Sequence, residues 1–387
     1  MAMPLRRRVA WSQGLSSQGE SAMPSTPAIL LSGYTEEGYG AGPGLSLFEV
    51  LADGTVGELL RKSSAVLNPS FLSAGGWLLL AVEELPEGNV IAVDPLTLDV
   101  LGRAPTLGAD PCHVALVDGQ VWVANYSSGT ATVLALDGLL GNDASAPQLL
   151  SHSGSGPVVE RQGESHAHQV TPTPWGSVLV ADLGADRVDE YAQAGDTRTL
   201  LRSAQLPPGT GPRHVALKGD FLLVAGELDG CVHVLQRTPS RATSPTARDD
   251  YFWHWLFKTP LAPTVAEVQA AEQFYPSHIQ LSEDGSKLYA AVRGPDTLVT
   301  LDVTGLAGSG TDEDADNEAA PTPPRFLAEI SSAGTWPRHF AVGHNKIYVA
   351  NQLSNNVAVF ELGPDGVPVA GAVQSLDYGS PTCILLA

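Results

Sequence analysis

Six side chains able to bind an anion or move a proton recur at two repeat positions in the second half of this chain: His168, Arg213, Glu227, Arg293, Arg338 and Gln352. Arginine forks grip a carboxylate or phosphate with parallel N–H donors. Glutamate serves as a general base once its pKa is raised in a partly dry site, and histidine passes a proton near neutral pH. The set suits a small anionic substrate undergoing proton transfer. A simpler reading is that Arg213 and Glu227 only pair with one another to tie strands together, but that leaves the other four unexplained.

The two positions emerge when the chain is aligned with itself. Proline or a small residue, a variable residue and then often histidine lead an alternating apolar run at Pro111-Cys112-His113-Val114, Pro212-Arg213-His214-Val215, Pro276-Ser277-His278-Ile279 and Pro337-Arg338-His339-Phe340. Weaker copies are Pro69-Ser70-Phe71-Leu72 and Ala167-His168-Gln169-Val170. Each copy is followed by an apolar strand ending in a pair such as Glu83-Glu84, Asn125-Tyr126 or Asn351-Gln352, and then by a third alternating strand. All-β units of roughly 40 to 65 residues that cannot bury their own apolar faces pack radially, which predicts a β-propeller. Six full units run from residue 68 to 362, and residues 28–50 supply two strands of a unit lacking its first. The lone run Ser380-Pro381-Thr382-Cys383-Ile384-Leu385-Leu386 has the form of that missing strand, so the spacing predicts an all-β, seven-bladed propeller closed by the C-terminal strand and leaving no open sheet edge.

Equivalent positions in a propeller surround one channel. The residue after the proline gives a first ring of Ser70, Cys112, His168, Arg213, Ser277, Arg338 and Thr382; the end of the next strand gives a second ring of Tyr34, Glu84, Tyr126, Leu183, Glu227, Arg293 and Gln352. His113, His214, His278 and His339 lie one residue beyond the first ring. Alternation along a strand therefore turns them to the opposite face, as hydrogen-bonding residues of the repeat. His166 and His168, two apart, fit a metal pair, but no third ligand stands at suitable spacing and no metal is assigned.

Composition narrows the function. With 43% hydrophobic and 16% charged residues, 40 Gly and 29 Pro, the chain suits many strands and tight turns. A formal net charge of −21 argues against nucleic-acid phosphates or anionic membrane surfaces as partners, and no run of about 18 apolar residues predicts a transmembrane helix. Three cysteines, Cys112, Cys231 and Cys383, argue against a disulfide framework and for a reducing compartment. Residues 1–22 read as a leader, too polar after Arg6, Arg7 and Arg8 for a signal peptide, with a single propeller domain over 23–387.

Three inserts interrupt the repeat. Residues 140–164 are polar and glycine-rich; residues 238–275 carry Tyr251-Phe252-Trp253-His254-Trp255-Leu256-Phe257; residues 305–324, with Asp312, Glu313, Asp314, Asp316 and Glu318, read as a solvated loop. The aromatic insert either packs onto the ring or lines a cleft.

Several of these motifs together resemble the seven-bladed lactonase family that contains propeller-type 6-phosphogluconolactonase and fungal carboxy-cis,cis-muconate cyclase. They are Asn68-Pro69-Ser70-Phe71, Ala124-Asn125-Tyr126, Arg161-Gln162 leading to His166-Ala167-His168, Ala181-Asp182-Leu183-Gly184-Ala185-Asp186-Arg187, Gly211-Pro212-Arg213-His214, Glu227-Leu228, Arg293-Gly294 and Pro337-Arg338-His339-Phe340 followed by Asn351-Gln352. The resemblance implies a cytoplasmic, cofactor-free enzyme acting on a lactone ring. It implies His168, Arg213, Glu227 and Arg293 as the catalytic group; Arg338, Gln352, His166, Tyr126 and Glu84 are expected from the rings and their neighbours to bind the substrate. Gly226, where relatives have asparagine, is a departure. On this reading a small anionic sugar lactone is hydrolysed, with Glu227 activating water, Arg213 and Arg293 holding the oxyanion and His168 protonating the leaving alkoxide. Lactonisation of a carboxylated muconate, a non-catalytic interaction propeller and a calcium-dependent lactonase using Asn125, Asp182 and Asn351 are the alternatives; oligomeric state is left open.

Overall fold

The computed structural model describes residues 27–36, 39–142, 145–193, 198–239, 251–306 and 320–387. Among them, 28 strands form seven four-stranded antiparallel sheets, each running from an inner strand to an outer one. The inner strands are Pro381–Leu386, Pro69–Gly75, Pro111–Val117, Ala167–Pro172, Pro212–Lys218, Tyr275–Leu281 and Pro337–Gly343, and these open blades one to seven. The expected leader at 1–22 and the acidic stretch 312–318 lie outside the described residues.

Closure is as expected. Pro381–Leu386 pairs antiparallel with Ala28–Gly33, setting Leu30 opposite Leu385 and Ser32 opposite Cys383. The first blade is thus built from both ends of the chain.

Each blade is sandwiched between two others, so its middle strands have no solvent face. Leu78–Glu83, Ser177–Asp182, Phe221–Gly226 and Lys346–Asn351 are buried at every position, which is why they read as apolar runs rather than alternation. Seven apolar clusters fill the seven boundaries between blades, for example Phe221, Leu223, Leu288 and Val299 between blades five and six. Burial therefore exists only between units, and the ring stands or falls as a whole.

A register shift interrupts the start of the inner pairing in every blade, as at Pro69/Leu72, Pro111/His113, Pro212/Val215 and Pro337/His339. Five inner strands are entered through a left-handed residue: Asn68, Asp110, Gly211, Trp336 and Ser380. At Gly211 (φ +62°) a Cβ would also lie 2.5 Å from Leu228 Cγ, so glycine is required there. Proline follows that turn because the first position of the strand needs no N–H donor.

The aromatic residues of 238–275 are not an insert over a cleft. Tyr251–Pro260 is the outer strand of blade five, paired with Cys231–Pro239. Tyr251 and Trp253 alternate inward, leaving Phe252 and Trp255 exposed. Part of 140–164 likewise supplies the outer strand of blade three, Gln148–Ser151. The inward pair is bolted to Glu190 of blade four, whose carboxylate accepts from Ser177 Oγ (2.6 Å), Trp175 Nε1 (3.0 Å), Trp253 Nε1 (3.1 Å) and the Tyr251 hydroxyl. Burial alone would raise its pKa; these donors outweigh burial and hold the carboxyl below the usual range. Glu190→Gln puts an amide N–H₂ among donors, and we expect a loss of about 3 kcal/mol in stability. An unchanged urea midpoint would contradict this account of the blade four–five joint.

Candidate active site

Glu227 follows the buried strand Phe221–Gly226, and its amide donates to Gly211 O at 2.9 Å, which turns the side chain into the channel. Three guanidinium groups meet it there. Arg213 Nε and Arg293 Nη2 lie 2.9 and 2.8 Å from Oε2, and Arg161 Nη2 lies 2.5 Å from Oε1. Arg213 sits at the bulge of its inner strand and also donates to Ser277 O of the next blade. Arg293 ends the strand Lys287–Arg293, donates from Nε to Tyr275 O at 3.2 Å and lies 5.2 Å from the centre of the Trp336 ring. Trp336 is held at φ +65°, a conformation costing on the order of 1–3 kcal/mol for a bulky residue.

A second, smaller group shares the same channel mouth. Arg338 Nη2 donates to Glu84 Oε2 at 3.2 Å and lies 5.3 Å from the Tyr34 ring; the Tyr34 hydroxyl donates to the same oxygen at 2.8 Å. Gln352 Oε1 is buried without a partner among the described residues. Four guanidinium groups against two carboxylates leave a local surplus of positive charge in a chain of net charge −21. That surplus is what an anion would meet.

His168 stands at the bulge of blade four, 7% exposed, with Nδ1 3.9 Å from Cys112 Sγ. Tyr126 lies edge-on to it at 5.5 Å and stacks on His166 at 4.5 Å, while His166 Nδ1 contacts Tyr126 O at 3.0 Å. The Tyr126 hydroxyl accepts from Arg161 Nη2 at 3.2 Å. The structure therefore brings His166, His168, Tyr126, Arg213, Glu227 and Arg293 into one network, with Glu84, Arg338 and Gln352 around the same channel. The small members of the first ring do something else. Ser70, Ser277 and Thr382 donate to the carbonyls of Pro111, Pro337 and Pro69, each stitching its blade to the next.

Electrostatics changes the expected protonation of two of these residues. Burial by itself would raise the Glu227 pKa as expected, but Arg293, Arg213 and Arg161 outweigh it and hold the carboxyl far below the usual range. His168 is pushed well below 6.5, first by burial and then by Arg213. It is neutral at neutral pH and has no spare proton to give as a cationic acid. Burial, with Arg293 beside it, lowers Arg213 to about 9, so it remains charged.

The four repeat histidines also differ from expectation. The bulge breaks alternation, and His113, His214, His278 and His339 converge on the axis with Phe71 instead of facing away. Phe71 stacks on His113 at 3.9 Å, His278 on His339 at 4.1 Å, and His214 Nδ1 lies 2.8 Å from His278 Nδ1. This plug separates the arginine site from a 540 Å³ mouth on the far side. Asn125, Asp182 and Asn351 do not surround a central ion: Asn125 Nδ2 donates to Thr130 and Thr132 hydroxyls, Asp182 Oδ1 accepts from loop amides, and Asn351 Nδ2 donates to Ser332 O. Among the described residues no three His, Cys, Asp or Glu side chains group as metal ligands, and no helix is long and apolar enough to cross a membrane.

Two contributors escaped the repeat analysis. Arg161 lies on the helical turn Val159–Gln162, between blades and outside both rings; its signal was the Arg161-Gln162 pair of the family motif. Trp336 precedes an inner-strand proline, a position held elsewhere by residues as different as Asn68, Gly211 and Tyr275, so the repeat does not mark it.

Comparison with known proteins agrees with this architecture. A family profile described as "Lactonase, 7-bladed beta-propeller" matches residues 28–386. A 6-phosphogluconolactonase of Bacillus subtilis is 26% identical, covering 89% of this chain and 95% of its own. An uncharacterised protein of Lactococcus lactis is 28% identical over 92% of this chain and 98% of its own. The solved structure of a periplasmic gluconolactonase of Pseudomonas aeruginosa superposes with a TM-score of 0.74 at 26% identity, covering 93% of this chain and 99% of that one.

Proposed function

Because this chain belongs to the lactonase family of seven-bladed β-propellers, we propose that it hydrolyses a small anionic sugar lactone, of the phosphogluconolactone kind, at the Glu227–arginine cluster. The observation that carries this reading is the meeting of three guanidinium groups on one buried carboxylate beside a fourth arginine.

In the free protein Glu227 is a weak base. An anionic substrate changes that, because its phosphate or carboxylate draws guanidinium donors away and adds like charge nearby, and both raise the carboxyl pKa. Water then attacks the lactone carbonyl carbon while Glu227 takes one of its protons. The carbonyl oxygen becomes an oxyanion held by Arg213 and Arg293. As the bond from that carbon to the ring oxygen breaks, protonated Glu227 returns the proton to the ring oxygen, which becomes a hydroxyl. The new carboxylic acid ionises and releases one proton to solvent. Neutral His168 orients substrate as a hydrogen-bonding group, and Tyr126, His166, Arg338, Glu84 and Gln352 fix the rest of the molecule. No metal or organic cofactor is assigned a role. A cytoplasmic setting goes with this reading, since Cys112, Cys231 and Cys383 are buried unpaired thiols.

The test compares one lactone ring with and without a phosphate, with carboxylated muconates alongside. Each charge-assisted contact is worth about 1.5–3 kcal/mol, so kcat/KM for the phosphorylated ring should be about 10- to 100-fold higher. Equal rates on both rings would remove the anion from the recognition scheme, and turnover of muconates alone would replace hydrolysis by ring closure.

A further inference from the structure

His152, just past the outer strand Gln148–Ser151 of blade three, points into blade four with its side chain wholly buried. Nδ1 lies 3.3 Å from Asp189 Oδ2 and 3.7 Å from Asp182 Oδ2, and Nε2 meets the Tyr191 hydroxyl at 3.2 Å. Arg187 approaches the same two carboxylates, with Nε 3.0 Å from Asp189 Oδ2 and Nη2 3.6 Å from Asp182 Oδ2; Ser203 Oγ donates to Asp189 Oδ1 at 2.5 Å. The titratable and charged groups facing the imidazole are thus Asp182, Asp189, Arg187 and Tyr191. Two carboxylates and one guanidinium are balanced only when His152 carries a proton.

Asp182 connects this buried group to the site. Its Oδ1 accepts from the amides of His166 (2.9 Å), Gly184 (3.1 Å) and Ala185 (3.1 Å). His166 begins the run into His168 and stacks on Tyr126, which in turn accepts from Arg161, the partner of Glu227. The path from His152 to the anion-binding cluster therefore begins with a 3.7 Å charge contact to Asp182 and continues through hydrogen bonds and packed rings.

We propose that His152, as an imidazolium, is a positioning residue: it holds Asp182, and through it the segment carrying His166 and His168, so that the affinity of the arginine cluster for an anion depends on the proton that His152 carries. Burial alone would lower its pKa, but the two carboxylates outweigh burial and hold it above the ordinary value. A raised folded pKa means that the contribution is fully present below about pH 6.5 and is lost as pH rises through the folded value. Above that point Asp182 and Asp189 repel, the clamp on the His166 amide loosens, and the anion binds less well.

The kinetic arm of the test rests on the lactonase reading, so a binding arm with inorganic phosphate accompanies it. Phosphate affinity by calorimetry, and kcat and KM for the anionic lactone, are measured between about pH 6 and 9 on the parent, His152→Gln and Asp189→Asn. In the parent, phosphate Kd and KM should rise together across this range while kcat changes little. In His152→Gln both should be about 5- to 10-fold higher at the acid end, and the only pH dependence left should be the second ionisation of phosphate and, near the alkaline end, the loss of charge on Arg213, which lies at about 9. Asp189→Asn removes a carboxylate that sustains the imidazolium, so its limb should move to lower pH. A His152→Gln protein that melts earlier but keeps the parental pH limb would make His152 a strut and overturn the proposal. Absence of turnover with the phosphate limb intact would count against the lactonase reading and still support this one. Failure of the parent to bind phosphate at any pH would overturn both.

Discussion

Glu227→Gln should lower kcat on an anionic lactone by about 10²- to 10⁴-fold, the usual loss of a general base, while KM stays level or falls. The direction of KM distinguishes a base from a strut. Glutamine keeps the shape and accepts one guanidinium N–H, yet it removes the negative charge with which Arg161, Arg213 and Arg293 are now paired. Substrate anion then meets a more positive site and binds at least as tightly. A structural strut would instead lose binding and turnover together. Stability carries a second signature. A depressed carboxyl pKa contributes stability present above the unfolded value near 4.3 and lost as pH falls through the folded one, so parent and variant melting curves should differ most near neutrality and converge in strong acid. A variant with parental kcat would remove Glu227 from the chemistry.

Removal of residues 380–387 should have the largest effect on stability. The cut takes away the inner strand of blade one, and with it Cys383 from the core shared with blade two and Ile384 from the core shared with blade seven. Ser32 Oγ and Pro69 O also lose their hydrogen-bond partner, the Thr382 hydroxyl. Two or three buried side chains at about 2 kcal/mol each put the loss on the order of 5 kcal/mol, comparable with the whole net stability of many domains. The edge of Ala28–Gly33 is exposed in addition, so aggregation should accompany unfolding. A truncated protein with the parental urea midpoint would contradict ring closure by this strand.

Ring closure was legible because it depends on pattern alone: one unit without a first strand, one first strand without a unit. The channel residues were legible for the same reason, since self-alignment converts repeat position into place around an axis. Directions at the bulge were not. Alternation predicts that His113, His214, His278 and His339 face away from Arg213 and its equivalents, but a residue inserted into one strand of the pair turns both neighbours toward the channel. Outer strands such as Val100–Pro105 and Leu200–Gln205 are mostly exposed, and the positions they turn inward are small or polar (Gly102, Ala104, Arg202, Ala204), so no apolar alternation marks them in the sequence. Self-alignment could not give Arg161 a place in the site, because the helical turn that delivers it belongs to no repeat; only the family motif marked it. The protonation states of Glu227 and His168 are sums over charges from several blades, which no local segment of sequence contains.

Proton release on mixing the parent protein with a phosphorylated sugar lactone in weak buffer at neutral pH, with the spontaneous rate subtracted, tests the central claim most directly. One proton should appear per lactone consumed, at a rate linear in protein, and Arg213→Lys, which cannot reproduce the two-donor fork, should lose about 100-fold in kcat/KM while melting with the parent. Proton release no faster than the spontaneous rate, or an Arg213→Lys protein as active as the parent, would contradict hydrolysis of an anionic lactone at the Glu227–arginine cluster.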